Sequence, residues 1–182
     1  MSRVRNSKWL CVWCAAVVCA AGAIVHAAQT LRIVPIVHNN EVLVSFEVPD
    51  GYTSDVRDAI ASGLRTTFSY DVELRMVARM WVDRVVATAV VGTSDRYDNL
   101  TRKHTLSRIV NGHVEETLVT DEERLAKTWL TSWTRLPLCD TTRLDPARDY
   151  YVRISARVIP DHTSILGWSS AVVGRTPFTF VP

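Results

Sequence analysis

The sequence is poor in cysteine, and it lacks a basic excess once its N-terminal segment is set aside. Three of the four cysteines lie in the first 28 residues, so the remainder keeps only Cys139 and cannot form an internal disulfide. The same segment holds three of the 21 Lys and Arg residues and no acidic residue, which leaves 18 basic against 19 acidic residues. Because nucleic-acid-binding domains normally keep a basic excess, we expect no nucleic-acid partner.

Sequence motifs for catalysis and metal binding are also missing. The chain has no Gly-Xaa-Ser-Xaa-Gly elbow, no glycine-rich phosphate loop and no His-Glu-Xaa-Xaa-His run. His113 and Glu115 would share one face of a strand, but a zinc site needs three or four converging ligands. A solvated hairpin tip is the favoured interpretation, so we predict no catalytic, cofactor-binding or metal-binding residue.

The N-terminal residues have the pattern of a secretory signal. A positively charged start precedes an uncharged apolar run over residues 9–25, which is about the shortest length that could span a bilayer. We predict that residues 1–27 are a signal peptide cleaved after Ala27 or Ala28; the alternative is an uncleaved N-terminal anchor. The positive-inside rule places residues 28–182 outside the cytoplasm in both cases. We therefore expect one periplasmic or extracytoplasmic domain, anchored to the inner membrane through residues 9–25 if the leader is retained.

Apolar residues at every second position predict a mainly β domain. The alternation is clearest over residues 42–48, 66–80 and 150–158 and is typical of strands with one face in the core. Residues 85–93 are apolar on both faces and predict a central strand covered on both sides. Two hairpins are predicted at Asn39-Asn40 and Asn111-Gly112, and a last strand is predicted over residues 176–181.

Two helices are predicted between the strands. Thr53 or Ser54 can cap the first, which should end near Gly63. Thr120-Asp121-Glu122-Glu123 has a capping-box pattern and predicts the start of the second. An apolar stripe continues this helix until Pro137 stops it: Leu125, Ala126, Trp129, Leu130 and Trp133. We thus expect an α+β, mainly β fold, with an antiparallel sandwich-like or strongly curved sheet of about seven to eight strands and two short helices.

Charged residues near the strands have structural interpretations. Asp83-Arg84 and Asp95-Arg96 are predicted to bracket the strand over residues 85–93, where carboxylates bond free backbone groups. Asp71 and Glu73 are predicted to pair across strands with Arg153 or Arg157. This pairing accounts for the two carboxylates without assigning them to a glycosidase site.

The order of these features resembles the bacterial family called domain of unknown function 4390. The matching segments are Arg79-Met80-Trp81-Val82-Asp83-Arg84-Val85-Val86-Ala87, Tyr97-Asp98-Asn99-Leu100-Thr101-Arg102-Lys103-His104, Glu122-Glu123 and Tyr150-Tyr151-Val152-Arg153. Proteins similar to this are exported and have no assigned activity, so the resemblance implies no catalytic residue. Their genes often lie beside one for a two-component sensor kinase, which implies such a kinase as a candidate partner.

The expected function is a non-enzymatic binding or accessory module for a periplasmic or membrane protein. The predicted partner or ligand surface consists of Trp81, Asp83, Arg84 and Trp168, because a tryptophan at a strand end or in a loop of small residues can contact a partner. The alternative for Trp81 is that its ring covers the open edge of the core. A carrier of a small apolar ligand and an envelope hydrolase are the alternatives. A deep pocket lined by Met76, Met80 and aromatic residues would favour the carrier, and a cleft with converging carboxylates or histidines would favour the hydrolase. A filled core would favour the binding module.

Overall fold

The computed structural model describes residues 31–78, 82–160 and 171–181. Its strands are β1 (Arg32–His38), β2 (Glu41–Glu47), β3 (Thr66–Met76), β4 (Arg84–Asp98), β5 (Lys103–Val110), β6 (His113–Thr120), β7 (Ser132–Asp140), β8 (Asp149–Pro160) and β9 (Val172–Thr179). Its α-helices are α1 (Ser54–Ala61) and α2 (Glu123–Thr131), and a 3-10 helix (Thr141–Arg143) follows β7. The mainly β class with two short helices is confirmed.

The strands form two antiparallel sheets. The small sheet has the order β1-β2-β7, and the large sheet has the order β6-β5-β4-β3-β8-β9. Helix α2 connects β6 in the large sheet to β7 in the small one. The sandwich-like arrangement expected from the strand pattern is therefore confirmed, and the core lies between the two sheets.

The core is built from the alternating apolar residues of the facing strands. Phe68, Tyr70, Val72 and Leu74 of β3 are buried, and they alternate with partly exposed residues. Phe46 of β2 packs on Tyr70 with the ring centroids 4.8 Å apart. Contacts of this kind join both sheets in one hydrophobic cluster, so the space between them is filled by side chains.

Both predicted hairpins are present, because their turn residues adopt the required backbone conformation. Asn39 and Asn40 have φ angles of 51° and 62°, and Asn111 and Gly112 have φ angles of 49° and 87°. Positive φ at both central residues is the type I′ pattern that suits the twist of paired strands. The turns join β1 to β2 and β5 to β6.

The two helices are short. Helix α1 begins after Thr53, whose hydroxyl accepts a hydrogen bond from the Val56 backbone N–H at 3.3 Å. It ends at Ala61 as predicted, with Ser62 as the C-cap before Gly63, whose φ is 80°. Within the described ranges, no helix has the length and apolar character needed to cross a membrane.

Strand β4 corrects two predictions. It runs to Asp98, so Asp95 and Arg96 lie inside the strand instead of at its end. It is central in the large sheet, but Val90 is 50% exposed because the other sheet packs on one face only.

Strand β3 is shorter than predicted. It ends at Met76 rather than at residue 80, and residues 79–81 lie outside the described ranges.

The chain after α2 also differs from the prediction. The helix ends at Thr131 and the chain continues directly into β7, which contains Trp133 and Pro137. Residues 132–140 pair with β2, and Pro137 is tolerated because β7 is an edge strand of its sheet. The predicted capping box is absent: Glu122 is the N-cap and makes no side-chain capping bond. The last strand occupies Val172–Thr179, earlier than the predicted 176–181.

The C-terminal end of α2 is tied to the large sheet through one buried carbonyl group. The Tyr70 hydroxyl donates to the Leu130 carbonyl oxygen at 2.5 Å, and the Thr93 hydroxyl donates to the same oxygen at 2.9 Å. The last carbonyls of a helix lack intrahelical partners. Neighbouring strands β3 and β4 therefore supply the two donors that this buried helix end requires.

Gly174 permits the close approach of β9 to β1. A Cβ atom at this position would lie 2.6 Å from Leu31 Cδ2 and 3.1 Å from Ile33 Cδ1. We expect Gly174→Ala to lower the free energy of unfolding by about 1–3 kcal/mol, because overpacking forces side chains or backbone to shift. Urea denaturation measures this change. The control is Val173→Ala on the same strand, where the side chain is 52% exposed; equal stabilities of the two variants would contradict the prediction.

Candidate functional site

A cleft of about 670 Å³ lies at one end of the sandwich. It is bordered by α1, by the turn between β4 and β5, and by the start of α2. Twelve residues line it: Tyr52, Arg57, Asp58, Ile60, Ala61, Tyr97, Thr101, Arg102, Lys103, His104, Asp121 and Glu123. We call it the His104 cleft. It combines aromatic, acidic and basic side chains in one concave site, which is typical of ligand-binding surfaces.

A buried histidine–carboxylate pair lies at the base of the His104 cleft. His104 Nδ1 is 2.7 Å from Asp95 Oδ2, and the two side chains are 7% and 0% exposed. The ring centroid of His104 is also 4.7 Å from that of Tyr97. The hydrogen bond fixes the orientation of the imidazole, and among the described residues no hydrogen bond uses its other nitrogen, Nε2.

The β4–β5 hairpin brings these two residues together. Tyr97 and His104 are register partners, as are Asp95 and Leu106. Asp95 and His104 are therefore diagonal neighbours on the inner face of the sheet, within reach of each other. The connecting turn is held by the Arg102 backbone N–H, which donates to the Asp98 carbonyl oxygen at 2.7 Å.

The buried carboxyl group of Asp95 has only part of its hydrogen-bonding capacity satisfied. Burial raises the pKa of its carboxyl group, and the hydrogen bond with His104 acts in the opposite direction. Its Oδ1 atom has no hydrogen-bond partner among the described residues, and neither has the buried Oγ1 of Thr66, its register partner on β3. Desolvation thus opposes the ionised form of Asp95, and His104 is the group that compensates.

Tyr52 and Glu123 form a second polar contact in the cleft. The Tyr52 hydroxyl donates to Glu123 Oε1 at 3.4 Å. Burial raises the pKa of Tyr52 to about 12, with further contributions from the negative charges of Glu123 and Asp95. The Lys127 ammonium lies 6.0 Å from the Tyr52 ring centroid. Tyr52 therefore stays protonated at neutral pH and presents a hydroxyl group to the cleft.

Charges of both signs line the His104 cleft without pairing to each other. Three are basic (Arg57, Arg102 and Lys103) and three are acidic (Asp58, Asp121 and Glu123). Within the described residues, none of these six belongs to an ion pair closer than 4.0 Å. They differ in this respect from the carboxylates on the outer face of the large sheet.

The outer-face carboxylates are paired, as the sequence predicted. Glu73 Oε2 lies 3.4 Å from Arg153 Nη1 and 3.0 Å from Arg75 Nε. Asp71 pairs with Arg157. These contacts satisfy the charges internally, so we assign the candidate site to the His104 cleft and not to this face.

The predicted surface around Asp83 lies outside the His104 cleft. Asp83 accepts hydrogen bonds from the Ala78 backbone N–H at 3.1 Å and from the Tyr151 hydroxyl at 2.7 Å. These two bonds lower the pKa of its carboxyl group, more than partial desolvation raises it. The Arg175 guanidinium lies 3.6 Å from the Tyr151 ring centroid, and Arg84 is exposed at the start of β4. Asp83 thus links Ala78, which follows β3, to Tyr151 of β8.

Two members of the predicted surface, Trp81 and Trp168, lie outside the described residues.

The possible start of a metal site at His113 and Glu115 gains no third ligand, since the described ranges contain no group of three His, Cys, Asp or Glu residues suited to a metal ion. A bulge also interrupts the β5–β6 register between Arg108 and Ile109. Cys139 is a free, half-buried thiol on β7, and burial raises its pKa.

Sequence reasoning missed the pairing of Asp95 with His104. The available signal was the hairpin itself, because the turn at residues 98–102 brings residues 95 and 104 close together. The prediction ended the strand near Asp95, so the pairing of Asp95 with His104 was not recognised.

Comparison with known proteins identifies the family. A family model described as Domain of unknown function (DUF4390) matches residues 26–161. Searches of curated proteins and of solved structures each found no match. The matched range includes the whole His104 cleft and all strands except β9. The chain therefore belongs to the DUF4390 family.

Proposed function

We propose that this chain is an exported, non-enzymatic binding module that recognises a polar segment of an envelope protein in the His104 cleft. The observation that carries the proposal is the set of six charged residues of both signs that line the cleft without ion-pair partners among the described residues. Unpaired charges can complement those of a partner and so provide specificity. A polypeptide segment with both acidic and basic side chains fits this pattern.

The filled core supports a binding module over an apolar-ligand carrier. A carrier needs a cavity lined mostly by apolar side chains. The recess beside Met76 has a volume of about 360 Å³, and its lining includes Arg84, Arg143 and Arg148. The side chains between the two sheets are packed in one cluster, which favours recognition at the surface.

An envelope hydrolase is the second candidate function, and the His104–Asp95 pair is the observation that favours it. A histidine held at Nδ1 by a carboxylate can act as a general base through Nε2. Such a reaction also needs a nucleophile or a bound water in reach of Nε2. Hydrolysis of a substrate that is abolished in His104→Gln would replace the binding proposal with this one.

Export is the part of the proposal that rests on residues 1–27. The partner would then be a periplasmic or inner-membrane protein, and a two-component sensor kinase is one candidate. Fractionation and N-terminal sequencing of the protein from its native host test the location directly. Recovery of the chain in the cytoplasm with its original N-terminus would contradict the proposed location.

We expect site-specific photo-crosslinking to trap the partner from the His104 cleft. A photoreactive phenylalanine is placed at Lys103, and adducts are identified from the envelope by mass spectrometry. Introducing Arg57→Glu with Arg102→Glu reverses two charges of the cleft and should reduce the main adduct at least about tenfold, because like charges in an interface cost several kcal/mol.

The matched controls use Arg148, which is exposed and lies in the separate recess beside Met76. A photoreactive residue there should give no specific adduct, and Arg148→Glu should leave the adduct from position 103 unchanged. Equal adducts from both positions, or an adduct that is insensitive to the charge reversal in the cleft, would overturn the proposal.

A further inference from the structure

A second recess lies on the outer face of the large sheet, across the β4–β5 hairpin from the His104 cleft. Its volume is about 570 Å³. The lining is rich in hydrogen-bond donors: Arg65, Arg96, Ser94, Thr105, Ser107 and Asn99. We call it the Arg65–Arg96 groove. Tyr97 lines both recesses, and the other residues of the groove do not line the His104 cleft.

The two arginines of the groove lie side by side. Arg96 follows Asp95, whose register partner is Thr66, and Arg65 directly precedes Thr66. The two positions are therefore adjacent at the end of the β3–β4 ladder. Like charges at opposed positions destabilise a sheet, and within the described residues neither arginine has an ion-pair partner. A bound anion would relieve this repulsion.

Hydroxyl groups continue the donor surface away from the arginines. Four register partners form one row across β3, β4, β5 and β6: Thr67, Ser94, Ser107 and Thr117. Thr105 lies beside Arg96 in the next row. Hydroxyl groups can donate to anionic oxygens, so the row extends the surface that can hold a ligand.

The lining contains one carboxylate, and its hydrogen bonds are directed to the chain itself. Asp98 Oδ1 accepts from the backbone N–H groups of Leu100 and Thr101, at 2.8 and 3.4 Å. These bonds lower the pKa of Asp98, to which the Arg96 charge also contributes. Asp98 therefore neutralises the arginines only in part, and the groove keeps a positive charge.

We propose that the Arg65–Arg96 groove binds a phosphate-bearing ligand. The planar guanidinium groups of Arg65 and Arg96 can each donate two parallel hydrogen bonds to phosphate oxygens, and the hydroxyl groups of Ser94 and Thr105 complete the site. The phosphate can belong to an anionic phospholipid headgroup or to a soluble organophosphate. These four residues lie outside the His104 cleft, so the proposal does not depend on the protein partner.

Binding to two defined probes tests the groove in the purified protein. One probe is vesicles of phosphatidylcholine with and without phosphatidylglycerol, and the other is glycerol 3-phosphate in calorimetry. We expect binding to at least one of them, and we expect Arg65→Gln with Arg96→Gln to weaken it by about 100-fold, because the variant loses both groups that can donate charge-assisted hydrogen bonds to the phosphate. Binding to the anionic vesicles alone identifies a lipid headgroup, and binding to glycerol 3-phosphate identifies a soluble ligand.

The matched control is Arg153→Gln, which removes a charge from the same sheet face at a residue already paired with Glu73. It should change affinity by less than about twofold, since it lies outside the groove. Circular dichroism verifies that each variant is folded. Absence of binding to both probes, equal binding to neutral and anionic vesicles without binding of glycerol 3-phosphate, or an unchanged affinity in the double arginine variant would overturn the proposal.

Discussion

Replacing Tyr70 by Phe and Thr93 by Val together is expected to lower the free energy of unfolding by about 3–4 kcal/mol. Both hydroxyl groups donate to the Leu130 carbonyl oxygen. Each single substitution leaves one donor in place and should cost about 1 kcal/mol. The double substitution leaves a buried carbonyl at the end of α2 without a partner, which carries the additional penalty.

A double-mutant cycle in urea measures this coupling. We expect the double variant to lose at least about 1 kcal/mol more of the free energy of unfolding than the two single variants lose when their losses are added. Additive losses would show that the two hydroxyl groups do not share the role of satisfying Leu130. Thr88→Val provides a matched change on β4 at an exposed outer-face position and should have little effect.

Asp95→Ala is expected to lower the free energy of unfolding by about 3 kcal/mol, because it removes one partner of a buried pair and leaves His104 without its acceptor. Asp95 is fully buried, so water cannot readily replace the lost carboxylate. The loss should also disturb the cleft, since His104 would no longer be held at Nδ1. Chemical denaturation and the histidine resonances in NMR spectra measure the two effects.

Asp95→Asn separates the hydrogen bond from the charge. The amide keeps the size of the side chain and an oxygen that can accept from His104, and it avoids the desolvation of a carboxylate. We expect a loss of about 1 kcal/mol or less. If Asn is as destabilising as Ala, the charge itself is required, and the pair is an ion pair. If both variants match the wild-type stability, Asp95 does not support the site.

The hairpins were predictable because their signals are local. Asn39-Asn40 and Asn111-Gly112 contain the residue types that tolerate positive φ, and all four residues adopt it. The same holds for α1, where a capping threonine and a following glycine mark the ends. In each case, residues within a few positions of one another carry the structural preference.

Strand β7 was not predictable from the same kind of pattern. Trp129 and Trp133 are four residues apart, which suits a helix face, yet the helix ends at Thr131. Pairing of residues 132–140 with β2 decides the outcome, and β2 lies about 90 residues earlier in the chain. Tertiary pairing of this kind overrides local helical preference.

The candidate sites also include features that local pattern predicted and features that depend on tertiary contacts. Asp71 and Glu73 were correctly assigned to cross-strand pairs with Arg157 and Arg153, because strand alternation places them on the outer face. The His104 cleft was not predicted, since it combines α1, the β4–β5 hairpin and α2. The sequence places none of these elements relative to the others.

Local pattern in the chain accounts for the leader prediction, the mainly β class, both hairpins and the family resemblance, because these depend on composition and on short-range spacing. The tertiary structure determines the extent of β4, the formation of a strand instead of a helix by residues 132–140, the Asp95–His104 pair and the two recesses beside the β4–β5 hairpin. These features require contacts between distant segments, and packing and hydrogen-bond satisfaction select among arrangements that local preference leaves open.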